Sequence, residues 1–193
     1  QIEELGYHGY YQATISRPDL IMGNGIFAKQ SLKDAATRYT QLSDGSRDYT
    51  KENRAYLSAT VDCKGKPLQL GTVHLSYNPY FEQTTRREME NNKFLDYLAT
   101  DEKPQIFCGD FNATPDSRLI TELTKRYTHA GPDFNQKTWT TKPFEHESFK
   151  ATRLDWRLDY VFCSENVQIH SSEIVQTEYS DHLPILVSFD LTA

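Results

Sequence analysis

The sequence predicts an α+β fold in which packed β-sheets carry helices on their outer faces. Short strand-like runs follow one another closely, and only two segments have the length and composition of helices. Strands and helices do not alternate along the chain, which argues against a doubly wound parallel sheet. A chain of 193 residues fits one domain with an interior large enough to fold without disulfides.

Near the front, "GYYQATIS" (9–16), "NGIFAKQ" (24–30) and "AATRYTQL" (35–42) read as strands separated by turns. Ala55, Leu57, Ala59 and Val61 alternate with Tyr56, Ser58 and Thr60, and the same period of two continues in "LQLGTVHL" (68–75). Joined across "DCKGKP" (62–67), these two runs predict a hairpin. The segment "EQTTRREMENNKFLDYLATDE" (82–102) is charged and free of Gly and Pro. Met89, Phe94, Leu95 and Leu98 lie close to one helical face, and Glu82 stands four residues before Arg86. "PQIFCGD" (104–110) reads as a buried strand, and "ATPDSRLITELTKRY" (113–127) as a second helix with Thr114 as N-cap, Pro115 at the first position and Asp116 in the first turn. After a polar stretch from about 129 to 153, "RLDYVFCS", "VQIHSSEIV" and "LPILVSFDL" predict three more strands.

Composition narrows the function classes. Hydrophobic residues make up 37%, charged residues 25% and aromatic residues 12%, placing the chain among globular proteins. A net charge of −6 argues against a protein that grips nucleic acid mainly by neutralising phosphates, so a phosphate substrate needs a cation from outside. Cys63, Cys108 and Cys163 are few and odd in number, and the latter two sit in apolar runs where Cys acts as a small hydrophobe. No apolar run reaches the ~18 residues that span a bilayer, and no signal pattern opens the chain, which favours a cytoplasmic location. The start at Gln1 suggests a piece of a longer protein.

Four stretches place ionisable or polar groups beside strand ends: "GTVHLS" with His74, "CGDFNA" with Asp110 and Asn112, "RLDYVF" with Asp159, and "YSDHLPI" with Asp181 and His182. Each alone is weak, since a Gly-Asp turn or a lone histidine is usually structural. Asp159 is the most informative, because a carboxylate inside an apolar run needs a donor or a cation. Together they contain the parts of a metal-assisted phosphoester hydrolase. Asp110 and Asp181 offer hard oxygens for Mg²⁺ or Mn²⁺. His182 can take a proton from water while Asp159 fixes its tautomer. Asn112 can donate to the phosphorane without adding charge, and His74 can do the same or protonate the leaving group.

These motifs resemble the endonuclease/exonuclease/phosphatase family, whose members include DNase I-like nucleases, neutral sphingomyelinases, inositol polyphosphate 5-phosphatases and deadenylases. "GDFNATPDS", "RLDYVFCS" and "SDHLPILVSF" are similar to its last three signature blocks, and "GTVHLS" to its histidine block; the similarity runs from "GNGIFAK" onward. It implies a four-layer, DNase I-like sandwich of two mixed or antiparallel sheets flanked by helices. It also implies that Asp110 and Asn112 meet the phosphate, that Asp181 joins them on the metal side, and that His182 is the base, Asp159 its orienter and His74 a phosphate contact.

The family's opening block, with a strand bearing Asn and another ending in a Gln-Glu pair, has no counterpart here. Glu3 and Glu4 are expected on the surface of the helix that follows it, so the fold is expected to be N-terminally truncated. The 193 residues alone are accordingly expected to bind Mg²⁺ weakly, turn over little, and self-associate through exposed sheet edges. The substrate stays open between nucleic acid and small phosphate compounds. Lys150, Arg153 and Arg157 form the basic cluster nearest a motif, Arg86 and Arg87 read as a solvated salt-bridging face, and Trp139 and Trp156 are open to stacking on a base or to packing. The alternative to an enzyme is a binding module that keeps the fold without turnover, or an inactive fragment.

Overall fold

The computed structural model describes residues 2–46, 48–100, 103–146 and 148–192. Its strands and helices in chain order are β1 (His8–Arg17), β2 (Leu20–Ala28), β3 (Lys33–Gln41), β4 (Arg54–Cys63), β5 (Lys66–His74), α1 (Thr85–Ala99), β6 (Gln105–Asp110), α2 (Arg118–Arg126), β7 (Thr128–His129), β8 (Phe144–His146), β9 (Phe149–Ala151), β10 (Asp159–Cys163), β11 (Val167–Ile174) and β12 (Ile185–Leu191). Six strands form the main sheet in the order β3-β4-β5-β6-β10-β7, in which β5 and β6 are parallel and the other pairs antiparallel. The helix α1 supplies the crossover that a parallel pair requires.

One face of this sheet packs on the helices. Tyr56, Val73, Phe107 and Phe162 of the strands meet Phe94 and Leu98 of α1 and Leu119, Ile120 and Leu123 of α2 in one core. The other face carries two separate hairpins. The β1–β2 hairpin buries Ile26 against Ala55, Leu57 and Ala59, and the β11–β12 hairpin covers Val61, Leu68, Val161 and Cys163. The fold is thus the expected α+β packing of sheets with helices outside. Of the four layers, the described residues fill three: helices, main sheet, and hairpins.

A second core of rings, including Tyr77, Trp139 and Phe149, sits at the sheet's end under β8 and β9. An apolar groove of about 330 Å³ separates β2 from β12, floored by Leu70, Ile106, Cys108 and Val161. Cys108 is exposed there, whereas Cys163 is buried; both thiols are free. No helix among the described residues is long and apolar enough to cross a membrane.

Several local expectations need correction. The run from Arg54 to Val61 is buried on both faces, because helices and hairpin cover opposite sides of β4. In α1 the inward face is Arg87, Glu90, Asn91, Phe94 and Leu98, while Met89 is 60% exposed. Apolarity misplaced that face by one position, because a buried ion pair occupies part of it. The helix starts after Thr84, whose side chain accepts from Arg87 N, so Glu82 lies outside it and Arg86 instead reaches Gln41 Oε1 at 2.7 Å. Its predicted last residues, Asp101 and Glu102, lie outside the described residues. The N-cap of α2 is Ser117, which accepts from Ile120 N, and Thr114 to Asp116 form the turn before it. Glu3 and Glu4 are exposed, in a single 3-10 turn.

The backbones of β5 and β6 approach closely at Gly109, which adopts φ 147°. A Cβ there would stand 1.9 Å from the Val73 carbonyl oxygen, so only glycine fits. Gly109→Ala is expected to lower stability by about 2 kcal/mol or more in urea unfolding. A loss under about 0.5 kcal/mol, the range of an ordinary surface substitution, would show that β5 and β6 part without cost.

Candidate active site

The site is a consequence of register. His74 ends β5 and Asp110 ends β6, and the parallel pairing sets them side by side. On the other flank of β6, antiparallel pairing places Asp159, the first residue of β10, opposite Asp110. Residues level on neighbouring strands share a face and stand about 4.8 Å apart, so His74, Asp110 and Asp159 form a row at one end of the sheet.

His182 joins this row from the loop before β12. Leu183 N donates to Thr138 O at 2.8 Å, and Thr138 Oγ1 in turn accepts from Leu158 N and Asp159 N at 3.1 and 3.2 Å. Thr138 therefore fixes the loop to the start of β10. His182 Nδ1 lies 2.8 Å from Asp159 Oδ2, which turns Nε2 toward Asp110, 3.9 Å from its Oδ2. The same Asp110 oxygen is 3.5 Å from His74 Nε2. One carboxylate thus lies between two imidazoles.

Asn112 sits at φ 44°, a left-handed turn that asparagine tolerates. Its backbone N–H donates to Asp110 Oδ1 at 2.8 Å, while its side-chain Nδ2 donates to Leu75 O at 2.9 Å and Asp110 Oδ2 at 3.2 Å. Both amide hydrogens are committed, so the expected donation from Asn112 to a phosphorane has no free hydrogen here, and Oδ1 is the atom left over. Asp181 is exposed, and its Oδ2 accepts from Trp139 Nε1 at 3.3 Å.

The two histidines are pushed in opposite directions. Burial lowers His74 to about 4, outweighing the nearby Asp110, so it is neutral at pH 7 and unsuited to protonating a leaving group. Burial also opposes charge on His182, but the Asp159 hydrogen bond and the fields of Asp110, Asp159 and Asp181 raise it to about 9. Burial raises Asp110, partly offset by the two imidazoles.

Sequence reasoning missed the support beneath the row. Arg87 of α1, expected on a solvated face, is 3% exposed. Its guanidinium donates to Ser76 O and Phe111 O, just beyond His74 and Asp110. Glu90, 1% exposed, accepts from Ser76 N at 3.2 Å and from Thr40 Oγ1 at 3.3 Å, and lies 3.4 Å from Arg87 Nη1. This ion pair clamps the two strand exits together. An Arg and a Glu three apart in a charged helix give no signal that separates a clamp from a surface pair. Arg157 is likewise not a substrate cation, since it is buried and donates to the carbonyls of Pro132, Asp133, Gln136 and Asp159.

Facing the row is a pocket of about 260 Å³ that His74, Asp110, Asn112, Asp181 and His182 share with several aromatic side chains. Trp139 is among them, and Trp156 packs on Phe81 at 4.8 Å. Asp159 lies on the far side of His182, outside this pocket. Among the described residues, no three His, Cys, Asp or Glu side chains are grouped to enclose a metal ion.

A layered α+β sandwich of this kind is the architecture of the DNase I-like proteins. The chain belongs to the Endonuclease/Exonuclease/phosphatase family, whose model matches residues 2–182. The UPF0294 protein of Vibrio vulnificus is 29% identical over 111 residues, covering 54% of this chain and 34% of that protein, so the chain spans about a third of the length of the curated relatives it matches. Among solved structures, it is similar to the human Nocturnin catalytic domain with bound sulfate (TM-score 0.71, 20% identity, 99% of this chain and 74% of that one). It is also similar to a mannosyl-6-phosphatase of Bacteroides thetaiotaomicron (0.71, 14%, 96% and 78%) and to D. rerio TDP2 complexed with single-strand DNA product (0.65, 17%, 97% and 78%). At these identities the likeness is one of fold.

Arg87→Leu leaves Glu90 buried without its partner and is expected to cost about 3–5 kcal/mol in denaturant unfolding. Adding Glu90→Gln is expected to recover part of that loss. No recovery would mean that the two residues do not act as a pair.

Proposed function

We propose that the chain is the catalytic portion of a divalent-metal-dependent phosphoester hydrolase acting by in-line attack of an activated water. The observation that supports this best is the Asp159–His182 pair, which aims Nε2 at the pocket beside Asp110. In this reading His182, neutral once a divalent cation offsets the carboxylates that otherwise hold it protonated, takes a proton from water at Nε2 as the oxygen attacks phosphorus. The bond to the departing ester oxygen breaks on the opposite side, and that oxygen takes a proton from solvent. Asp159 holds the tautomer and balances the imidazolium. Neutral His74 keeps its ring on Asp110, and Asn112 orients both Asp110 oxygens.

Asp110, Asn112 through Oδ1, and Asp181 are the residues that would hold Mg²⁺ or Mn²⁺. Their chemistry fits, because Mg²⁺ keeps several waters and is ordinarily held by one or two carboxylates and the substrate phosphate. A bound divalent ion supplies positive charge that neutralises phosphate and opposes the carboxylate field on His182. The rival reading, a binding module or inactive fragment, draws on the absence of a closed set of metal donors among the described residues.

The test is hydrolysis of bis-p-nitrophenyl phosphate with Mg²⁺ and with EDTA. In the full-length protein turnover is expected only with the metal, and His182→Ala is expected to lower kcat by about 10²–10⁴-fold with unfolding unchanged. Full turnover in that variant would remove the base assignment, and none in the longer parent protein would favour the binding module.

Self-association is part of this proposal. The edges of β2 and β12 that face the groove pair with no strand among the described residues. Light scattering is expected to show dimers that grow with concentration, weakened by Val187→Lys in β12. A monomer at every concentration would count against pairing through these edges.

A further inference from the structure

The pocket in front of Asp110 and His182 has walls that the hydrolytic chemistry does not require. Tyr77, Phe81, Trp139 and Phe144 surround the space left by the polar residues. Their rings meet edge to face: Trp139 on Phe144 at 5.1 Å and 68°, Tyr77 on Phe144 at 5.9 Å and 72°, and Phe81 on Trp139 at 6.0 Å and 90°. Each ring is held by its neighbours, so the surface is rigid before any ligand arrives and little ordering cost attends binding. Behind them Phe149 stacks on Trp139 at 6.2 Å and 12°.

Size and charge narrow the occupant. About 260 Å³ lies below the ~300–1,000 Å³ of ordinary small-molecule sites, which leaves room for one ring and not for an extended chain. Among the described lining residues there is no Lys or Arg, and Asp110 and Asp181 are acids. A ligand with several phosphates would find no Lys or Arg to meet those beyond the one at the row. A packing role alone does not explain the arrangement, since Phe81 and Phe144 are only partly buried and line open space.

We propose that this pocket takes the ester group of the substrate as a single planar ring, so that the substrates are monophosphate esters of aryl or nucleoside groups rather than polyphosphorylated sugars. This rests on the reading that the phosphate stands beside Asp110 and His182. The ring lies among Tyr77, Phe81, Trp139 and Phe144 while the phosphorus stands at the row of Asp110 and His182.

Calorimetric titration in Mg²⁺ tests it with phenyl phosphate, thymidine 5′-monophosphate, methyl phosphate, inositol 1,4,5-trisphosphate and phenol. One of the two ring-bearing phosphates is expected to bind about tenfold or more tighter than methyl phosphate, the gain one stacked ring gives. Which of them binds tighter distinguishes an aryl from a nucleoside group. Phe144→Leu, which keeps apolar bulk but loses the ring, is expected to erase most of that gain and leave methyl phosphate binding unchanged.

Equal binding of phenyl, thymidine and methyl phosphates, or tighter binding of the trisphosphate, would overturn the ring pocket even if His182-dependent hydrolysis of p-nitrophenyl esters persists. Equal binding of phenol and phenyl phosphate would instead remove the phosphate reading, and the substrate class with it.

Discussion

The structure depends on the parallel pairing of β5 with β6. Among the described residues it is the one parallel contact in the main sheet, and its register sets His74 beside Asp110. A slip of one residue would turn every side chain of one strand to the opposite face and separate the imidazole from the carboxylate. Gly109 permits the approach by offering no Cβ to the Val73 carbonyl, and Arg87 holds the exits by reaching Ser76 O and Phe111 O. The antiparallel β10 then has one way to complete the row, with Asp159 opposite Asp110.

That row creates a charge arrangement that backbone geometry alone does not contain. Asp110 faces two imidazoles, one made neutral by burial and one kept cationic by three carboxylates. The difference lies in partners: His182 has Asp159 at 2.8 Å, whereas the nearest carboxylate oxygen to His74 is 3.5 Å away and Arg54 and Arg87 oppose its protonation. Two residues of one type, both within 4 Å of one carboxylate oxygen, therefore play different parts.

The strands and the site residues were legible where a local pattern mirrors a local cause. Period-two runs marked β4 and β5, and Asp159 stood out as a carboxylate in an apolar run. Hidden were the features whose cause is tertiary. Met89 and Arg87 exchanged faces because Glu90 and two carbonyls, not apolar neighbours, determine which side of α1 is buried. Thr114 carries the cap pattern in sequence, but the chain turns from Thr114 to Ser117 and Ser117 caps α2. The commitment of the Asn112 amide to Leu75 O is invisible without the strand that carries Leu75 nearby.

Recognition and chemistry meet in Trp139. Its backbone bridges both Trp156 and His182, its indole N–H donates to Asp181, and its ring is one wall of the pocket. A shift of this side chain therefore changes the space for the ester group and the position of an acidic oxygen together. Aromatic walls and carboxylate row are built from one connected set of residues, so the proposed ring and phosphate positions stand at a fixed distance from each other. A scaffold of separate loops would let the two vary independently. Here Thr138, next to Trp139, is bonded to both Asp159 and Leu183, and that tie makes the distance a property of the sheet.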